Sequence, residues 1–302
     1  MSELILHHYP QSHFAEKIKR LLAYKGVAWR AVEQPMMMPK PDLVPLTGGF
    51  RRIPVLQIGA DVYIDTVLIA RVLEALHPTP ICIPTTQAGL VGVIEAWAGR
   101  QFMFQVLLPT FAALLPHLPP EFLLDRAAMS PRLGRDAIVD GAPHALAQTD
   151  LVLDQLDLQL HVQPFLLGPD FTLADASVFF PLWLFKNSPE LFAHIAARPA
   201  VAAWFARIEA FGGGAVTPMS TSEALAVARA ASPAPAAAGL QQLGDLELGA
   251  EVAVVADDYG VEACRGKLSH LSAERVSLLR RDADFGEIAV HFPRAGYHIT
   301  KV

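Results

Sequence analysis

The sequence predicts an α/β fold over residues 1–80, an all-α stretch over 85–230, a linker at 231–243 and a small all-β, barrel-like domain over 244–302. Three observations carry that prediction. The hydrophobic period opens as strand, helix, strand, and continues through a hairpin and a second helix before residue 80. From about Thr85 to Arg229 the periodic segments are helical. After the small-residue and proline run ASPAPAAAG at 231–239, five short strand-like segments follow in roughly fifty residues.

Residues 4–9 read as a buried strand. Residues 11–25 read as a helix, with Phe14, Ile18, Leu21 and Leu22 apolar and Glu16, Lys17, Lys19 and Arg20 charged between them. Gly26 is a natural C-cap. Residues 27–32 give a second strand, so the start is a βαβ unit with parallel strands and a right-handed crossover. Residues 35–49, rich in Met and Pro, read as irregular. The stretch RRIPVLQIGADVYIDT at 51–66 then packs three devices together. A proline opens an apolar run, a tight turn at Gly59-Ala60-Asp61 reverses it, and Asp65-Thr66 begins a helix to residue 76.

Within the helical stretch, residues 91–105 and 142–160 are long periodic segments. Thr172-Leu-Ala-Asp175 resembles a capping box, with Asp in place of Glu or Gln, ahead of an apolar helix ending near Phe185. Residues 199–211 form another helix, stopped by Gly212-Gly213-Gly214. Residues 101–120 carry no formal charge over twenty positions, long enough to cross a bilayer. Pro109, Pro116, Pro119 and Pro120, with Gln105 and His117, predict instead a buried helix that breaks near Pro109, and no membrane span. Strands are expected at 251–256, 262–269, 276–281, 287–292 and 297–302, with turns at 257–260 and 284–286.

Composition bounds the function. The chain is 52% hydrophobic and only 18% charged, with mean hydropathy +0.33; this implies a large apolar core or a greasy ligand pocket. A net charge of −6 argues against broad nucleic-acid binding. Arg280-Arg281 is balanced by Asp282 and Asp284, and reads as a solvated strand end. Two cysteines, Cys82 and Cys264, make neither a disulfide framework nor a thiolate metal site, and fit a reducing cytosol. The histidines show no metal-ligand spacing, so no metal is expected. The N-terminal residues lack a signal-peptide pattern, and a cytoplasmic location is expected.

Four positions could carry chemistry. Ser12 opens a helix after a strand, where a hydroxyl, free N–H groups and the helix dipole favour a bound anion such as a thiolate. Its other reading is a plain N-cap. Pro54 at a strand start could hold a cis bond, turning the Ile53 backbone outward to pair with a peptide-like ligand. It could equally be a trans edge proline. Asp65 and Thr66 either cap a helix or grip an amino and a carboxyl group. Phe102, Met103 and Phe104 either wall an apolar pocket or face the helical core.

Taken in order, these motifs resemble the cytosolic glutathione transferase (GST) family over residues 3 to about 215. YPQSHFAEKIK at 9–19 is similar to the family's serine-type helix start, IPVL at 53–56 to its Val-Pro-Val-Leu segment, Asp65-Thr66 to its Glu-Ser or Gln-Ser pair, and TLAD to its buried capping box. The resemblance implies a thioredoxin-like N-terminal domain and an all-α GST C-terminal domain, with the β-rich end as an addition. It implies glutathione as co-substrate. Ser12 would favour the thiolate, with His8 as the alternative catalytic group. Ile53 and Pro54 would present backbone to the cysteinyl moiety, and Asp65 and Thr66 would hold the γ-glutamyl end. Arg52 would meet the glycyl carboxylate, with Lys40 a second choice. His13, which stands where the family has proline, would border the electrophile pocket with Phe102, Met103 and Phe104. The implied reaction is thiolate attack on an apolar electrophile. Open alternatives are a non-catalytic binding or scaffold protein, and a glutathione-dependent isomerase or dehalogenase. A homodimer is implied by the same resemblance.

Overall fold

A computed structural model describes residues 3–235, 239, 242–244 and 246–302. The linker expected at 231–243 therefore lies partly outside the described residues. The chain begins β1 (Ile5–His8), α1 (His13–Tyr24), β2 (Trp29–Glu33), α2 (Leu43–Thr47), β3 (Val55–Ile58), β4 (Asp61–Ile64), α3 (Thr66–Leu76). Helices α4 (Ala88–Trp97), α5 (Met103–Leu114), α6 (Pro120–Met129), α7 (Arg135–Leu160), α8 (Leu173–Leu182), α9 (Pro189–Ala196) and α10 (Pro199–Glu209) follow. Then come β5 (Val216–Pro218), α11 (Thr221–Ala230), β6 (Gln242–Leu243) and β7 (Leu246–Glu247). The chain ends with β8 (Glu251–Ala256), β9 (Cys264–Leu271), β10 (Arg275–Asp282), β11 (Gly286–Pro293) and β12 (Tyr297–Lys301). The thioredoxin-like start, the helical stretch and the β-rich end are all present as expected. Residues 43–47, read as irregular, instead close a short helix whose Thr47 hydroxyl donates to the Phe50 carbonyl at 2.6 Å.

By packing, the chain divides into two compact units, and the division differs from the compositional one. The first comprises the described residues of Met1–Ala15, Ala28–Val72 and Ala215–Val302; the second comprises Glu16–Val27 and Leu73–Gly214. The β-rich end thus belongs to the unit that holds the N-terminal strands.

That first unit is built on a ten-stranded sheet in the order β12-β8-β9-β10-β11-β4-β3-β1-β2-β5. β1 and β2 are parallel, as the βαβ reading requires, and β3 and β4 are antiparallel to their neighbours on that side. The β3–β4 loop is Gly59-Ala60, and Gly59 takes the left-handed backbone such a tight turn needs (φ 62°). The five C-terminal strands fall where the period placed them. Their novelty is a partner: β11 pairs in parallel with β4, Ala289 opposite Asp61 and His291 opposite Tyr63. One apolar cluster runs through both parts, from Phe50, Val55, Val62 and Ile64 to Val252, Leu268, Val276 and Phe292. Arg280 is no solvated strand end: its Nη1 donates to the Pro45 carbonyl at 3.0 Å. Gly48 permits that approach, since a Cβ there would lie 2.6 Å from the Arg280 Nε.

The second unit is helical. Asp175 is fully buried and organises it: it accepts from the Thr172 N–H (2.9 Å), the Leu166 N–H (2.7 Å) and the Trp204 indole (3.0 Å). Burial pushes its carboxyl above the usual range, and these hydrogen bonds oppose that shift. Lys17 and Glu95 form a buried ion pair at 2.6 Å. Among the described residues no helix is long and apolar enough to cross a membrane.

The expected break near Pro109 does not occur; α5 runs through it. Proline has no N–H, so the Gln105 carbonyl loses its helical partner. The fully buried Thr149 hydroxyl of α7 reaches it at 3.1 Å, sharing its one proton between that carbonyl and the Ala145 carbonyl at 3.0 Å. Thr149→Val should therefore lower unfolding stability by about 1–3 kcal/mol, the cost of a buried unpaired carbonyl. Pro109→Ala restores an N–H at that position, and urea unfolding of the double variant should show a smaller loss for Thr149→Val than the single variant does.

Candidate functional site at one end of the sheet

Register alone brings the first site residues together. β1 runs antiparallel to β3, and β3 to β4, with His7 opposite Val55 and Val55 opposite Ile64. The segment leaving β1, the segment entering β3 and the segment leaving β4 therefore share one end of the sheet. Those segments carry Ser12, Arg52-Ile53 and Asp65-Thr66. β11 runs parallel to β4, so it leaves at that same end. β12 begins there at Tyr297, opposite Ala256, the last residue of β8. The turn after β8, with Asp258 and Tyr259, completes the cluster.

Ser12 caps α1. Its Oγ accepts the Ala15 N–H at 3.2 Å, and the residue is 2% exposed. The N-cap reading is thus realised, and the hydroxyl proton is left to donate. The Ile53–Pro54 bond is cis. Ile53 lies just outside β3, and its backbone takes part in none of the backbone hydrogen bonds between described residues outside the regular elements. Asp65 is the one non-glycine residue with positive φ (73°) among the described residues, a conformation costing of order 1–3 kcal/mol and found at functional sites. Its Oδ1 accepts the Val67 N–H at 3.0 Å, capping α3. Thr66 is buried as the first residue of α3.

Arg52 is held by residues that sequence reasoning did not single out. Nη1 donates to Asp258 Oδ1 at 3.0 Å, and Nη2 donates to the Tyr297 hydroxyl at 3.2 Å. Tyr297 donates in turn to Asp65 Oδ2 at 3.0 Å. The guanidinium lies 5.0 Å from the Phe50 ring centroid, 4.6 Å from Tyr259 and 5.9 Å from Tyr297. Burial disfavours the Arg52 charge, but Tyr297, Tyr259, Asp258 and Asp65 together hold it above the ordinary arginine value. Burial, then Asp65, pushes Tyr297 well above the ordinary tyrosine value, so it stays a neutral donor. No local pattern marks these partners, because Asp258 is 206 residues from Arg52 in sequence.

The remaining candidates are placed as follows. His8 ends β1, buried, with its ring edge-on to Trp29 at 5.5 Å. Lys40 is buried with Nζ 5.7 Å from the Tyr9 centroid. His13 packs on Phe14 at 4.7 Å. Phe102, Met103 and Phe104 are buried in the helical unit, where a turn of π-helix spans Ala98–Phe102. Phe102 stacks on Trp97, and Arg132 lies over Phe104. No group of three or more His, Cys, Asp or Glu residues is poised for a metal among the described residues.

A thioredoxin-like segment followed along the chain by a helical one is the domain order of glutathione S-transferases. Residues 6–81 match the family model for the glutathione S-transferase N-terminal domain, and residues 121–207 the one for its C-terminal domain. A GST-like protein from Pseudomonas syringae is 37% identical over 100% of both chains, with a TM-score of 0.82. The chain belongs to the glutathione S-transferase family. Two further structures share the fold at lower identity. A glutathione S-transferase from Rhodospirillum rubrum F11 has 21% identity and TM-score 0.54, over 70% of this chain and 89% of that one. Poplar glutathione transferase F1 has 15% identity and TM-score 0.57, over 76% of this chain and 100% of that one. The match to the Pseudomonas protein spans the whole chain, the β-rich end included. Among curated proteins, none is similar enough to match.

Beneath the site, His7 on β1 is fully buried between two amides. Gln34 Nε2 lies 3.2 Å from His7 Nδ1, and His7 Nε2 lies 2.9 Å from Gln57 Oε1. Gln57 spends its own N–H groups on the Ala224 and Gly59 carbonyls, so its oxygen accepts from a neutral imidazole. Burial, first, and the neighbouring His8 push the His7 pKa down to about 4, against the Gln57 hydrogen bond. The folded state thus resists protonation while an unfolded histidine, with its ordinary value near 6.5, accepts a proton. Stability from this group is full above about pH 6.5 and is lost as pH falls toward 4. Urea unfolding at pH 7 and pH 4.5 should show a loss of about 2–3 kcal/mol from His7, and His7→Gln should flatten that part of the profile.

Proposed function

We propose that this protein binds glutathione at the described sheet end and directs its thiolate at an apolar electrophile. The observation that carries the reading is convergence: a helix-capping serine hydroxyl, an unladdered backbone edge at Ile53 and a left-handed acidic cap at Asp65 share one end of one sheet. In this reading the Ser12 O–H donates to the sulfur, and the first turn of α1 adds the field of its N–H groups. Both favour thiolate over thiol, which is the nucleophilic form. The Ile53 backbone pairs with the cysteinyl peptide as an added strand would. Asp65 accepts from the α-ammonium. His13, packed on Phe14, is the proposed border of the electrophile site, and Lys40 is held in reserve for a carboxylate. His8, packed on Trp29, is a second candidate to Ser12.

One observation favours a second reading. Ser12 is buried, and Arg52 and Asp65 already have partners within the chain. A protein that binds a thiol ligand without turning it over fits that arrangement. Calorimetric titration with glutathione, paired with conjugation to an apolar aryl halide, separates the two: binding with turnover supports the transferase, and binding without it supports the second reading. No heat at millimolar glutathione sinks both. In the transferase reading, Ser12→Ala should lower kcat/KM by about tenfold to a hundredfold, the worth of a hydrogen bond to a charged group. It should cost only about 1 kcal/mol of stability through the lost cap.

A further inference from the structure

The C-terminal strands deliver a carboxylate to Arg52 and a hydroxyl to Asp65, the two groups that the glutathione reading reserves for the ends of the ligand. The two are not equally spent. A carboxylate offers about four acceptor positions, and Asp65 uses one oxygen on Val67 and the other on Tyr297. It keeps room for an ammonium. Arg52 is different. Its charge is balanced by Asp258 at 3.0 Å, with side-chain exposures of 12% and 25%. Three rings wall it, and its Nε is buried with no hydrogen-bond partner among the described residues. A ligand carboxylate reaching this guanidinium has to displace Asp258, or sit beside it as a second anion.

We propose, resting on the glutathione reading of the site, that Asp258 is an internal carboxylate for Arg52 and sets specificity: among glutathione-like thiols with an α-amino group, the site favours those whose end at Arg52 is uncharged. Tyr297 supports this by accepting from Arg52 while donating to Asp65, which ties the two ends into one chain of hydrogen bonds. The attachment of the β-rich end does not depend on Asp258. It is also held by the β4–β11 pairing, by His291 on Asp61 at 2.8 Å and by Arg280 on Pro45. Removing the Asp258 charge therefore tests ligand choice and not folding.

The test is calorimetric titration of wild type, Asp258→Asn and Tyr297→Phe with glutathione and with its glycyl ethyl ester, each variant checked by thermal unfolding. Wild type should bind the ester at least as well as the free acid. Asp258→Asn should bind the free acid about tenfold more tightly than wild type, since a charge-assisted bond is worth about that much, with ester affinity unchanged. Tyr297→Phe keeps Asp258 and should keep the wild-type preference. A wild type that prefers the free acid by about tenfold, or an Asp258→Asn variant whose free-acid affinity does not rise, overturns the proposal while leaving glutathione binding intact. So does recovery of the free acid by Tyr297→Phe alone. If none of the three proteins binds either compound, the glutathione reading itself fails, and this proposal with it.

Discussion

An unpaired β4 would present an open row of backbone groups, and the parallel pairing of β11 with it is the constraint on which the rest of the first unit depends. Exposed edges invite pairing with other chains; here the chain closes its own. The junction is fixed by a buried polar chain. Asp61 Oδ1 lies 2.8 Å from His291 Nε2, and His291 Nδ1 lies 2.7 Å from Ser277 Oγ. A carboxylate only accepts, so Nε2 carries the proton. Burial lowers the His291 pKa against the raising effect of Asp61, so the ring stays neutral and Nδ1 accepts from Ser277. The second oxygen of Asp61 takes the Ala234 N–H at 2.8 Å. Each polar atom in the chain is satisfied, which fixes β4, β10 and β11 in one register.

From that register the site follows. β11 leaves the sheet beside Asp65, a short turn begins β12 at Tyr297, and β8 ends opposite it, ahead of Asp258. A slip of one residue would turn every side chain to the other face, taking Tyr297 and Asp258 away from Asp65 and Arg52. The rings around Arg52 then offset its burial. Each guanidinium–ring contact is worth about 0.5–2 kcal/mol, and Asp258 supplies the opposite charge.

Much of this was legible in the sequence, and the reason is locality. The βαβ start, the Gly59 turn, the Asp65 cap and the TLAD box are each written in a few adjacent residues, and the five final strands announce themselves by period and turns. Ser12, Ile53 and Asp65 were legible as a group through the family resemblance, and strand order and direction place them at one sheet end. What the sequence did not show is long-range. No pattern in 244–302 says that β11 seeks β4, the pairing that groups the β-rich end with the N-terminal strands. The same blindness hid Asp258 and Tyr297. It also hid the rescue of α5 by Thr149, whose hydroxyl lies 44 residues from the carbonyl it satisfies. Proline rules applied to one helix alone predict a break there; the neighbouring helix decides otherwise.

The extension is a structural edge, and in the proposed reading it also borders the ligand; these two roles rest on different residues. Its attachment runs through the β4–β11 ladder, the Asp61–His291–Ser277 chain and the shared apolar cluster, all well away from solvent. Its influence on the site runs through Asp258 and Tyr297, at a turn and at a strand start. Asp258 is exposed as a residue and holds Arg52 by a partly exposed pair, and such pairs contribute little to stability. Little folding energy therefore guards the contact on which the proposed specificity turns. A turn with so small a share in stability can exchange partners with a bound molecule at small cost, while the ladder behind it keeps Asp65, Ile53 and Ser12 in place.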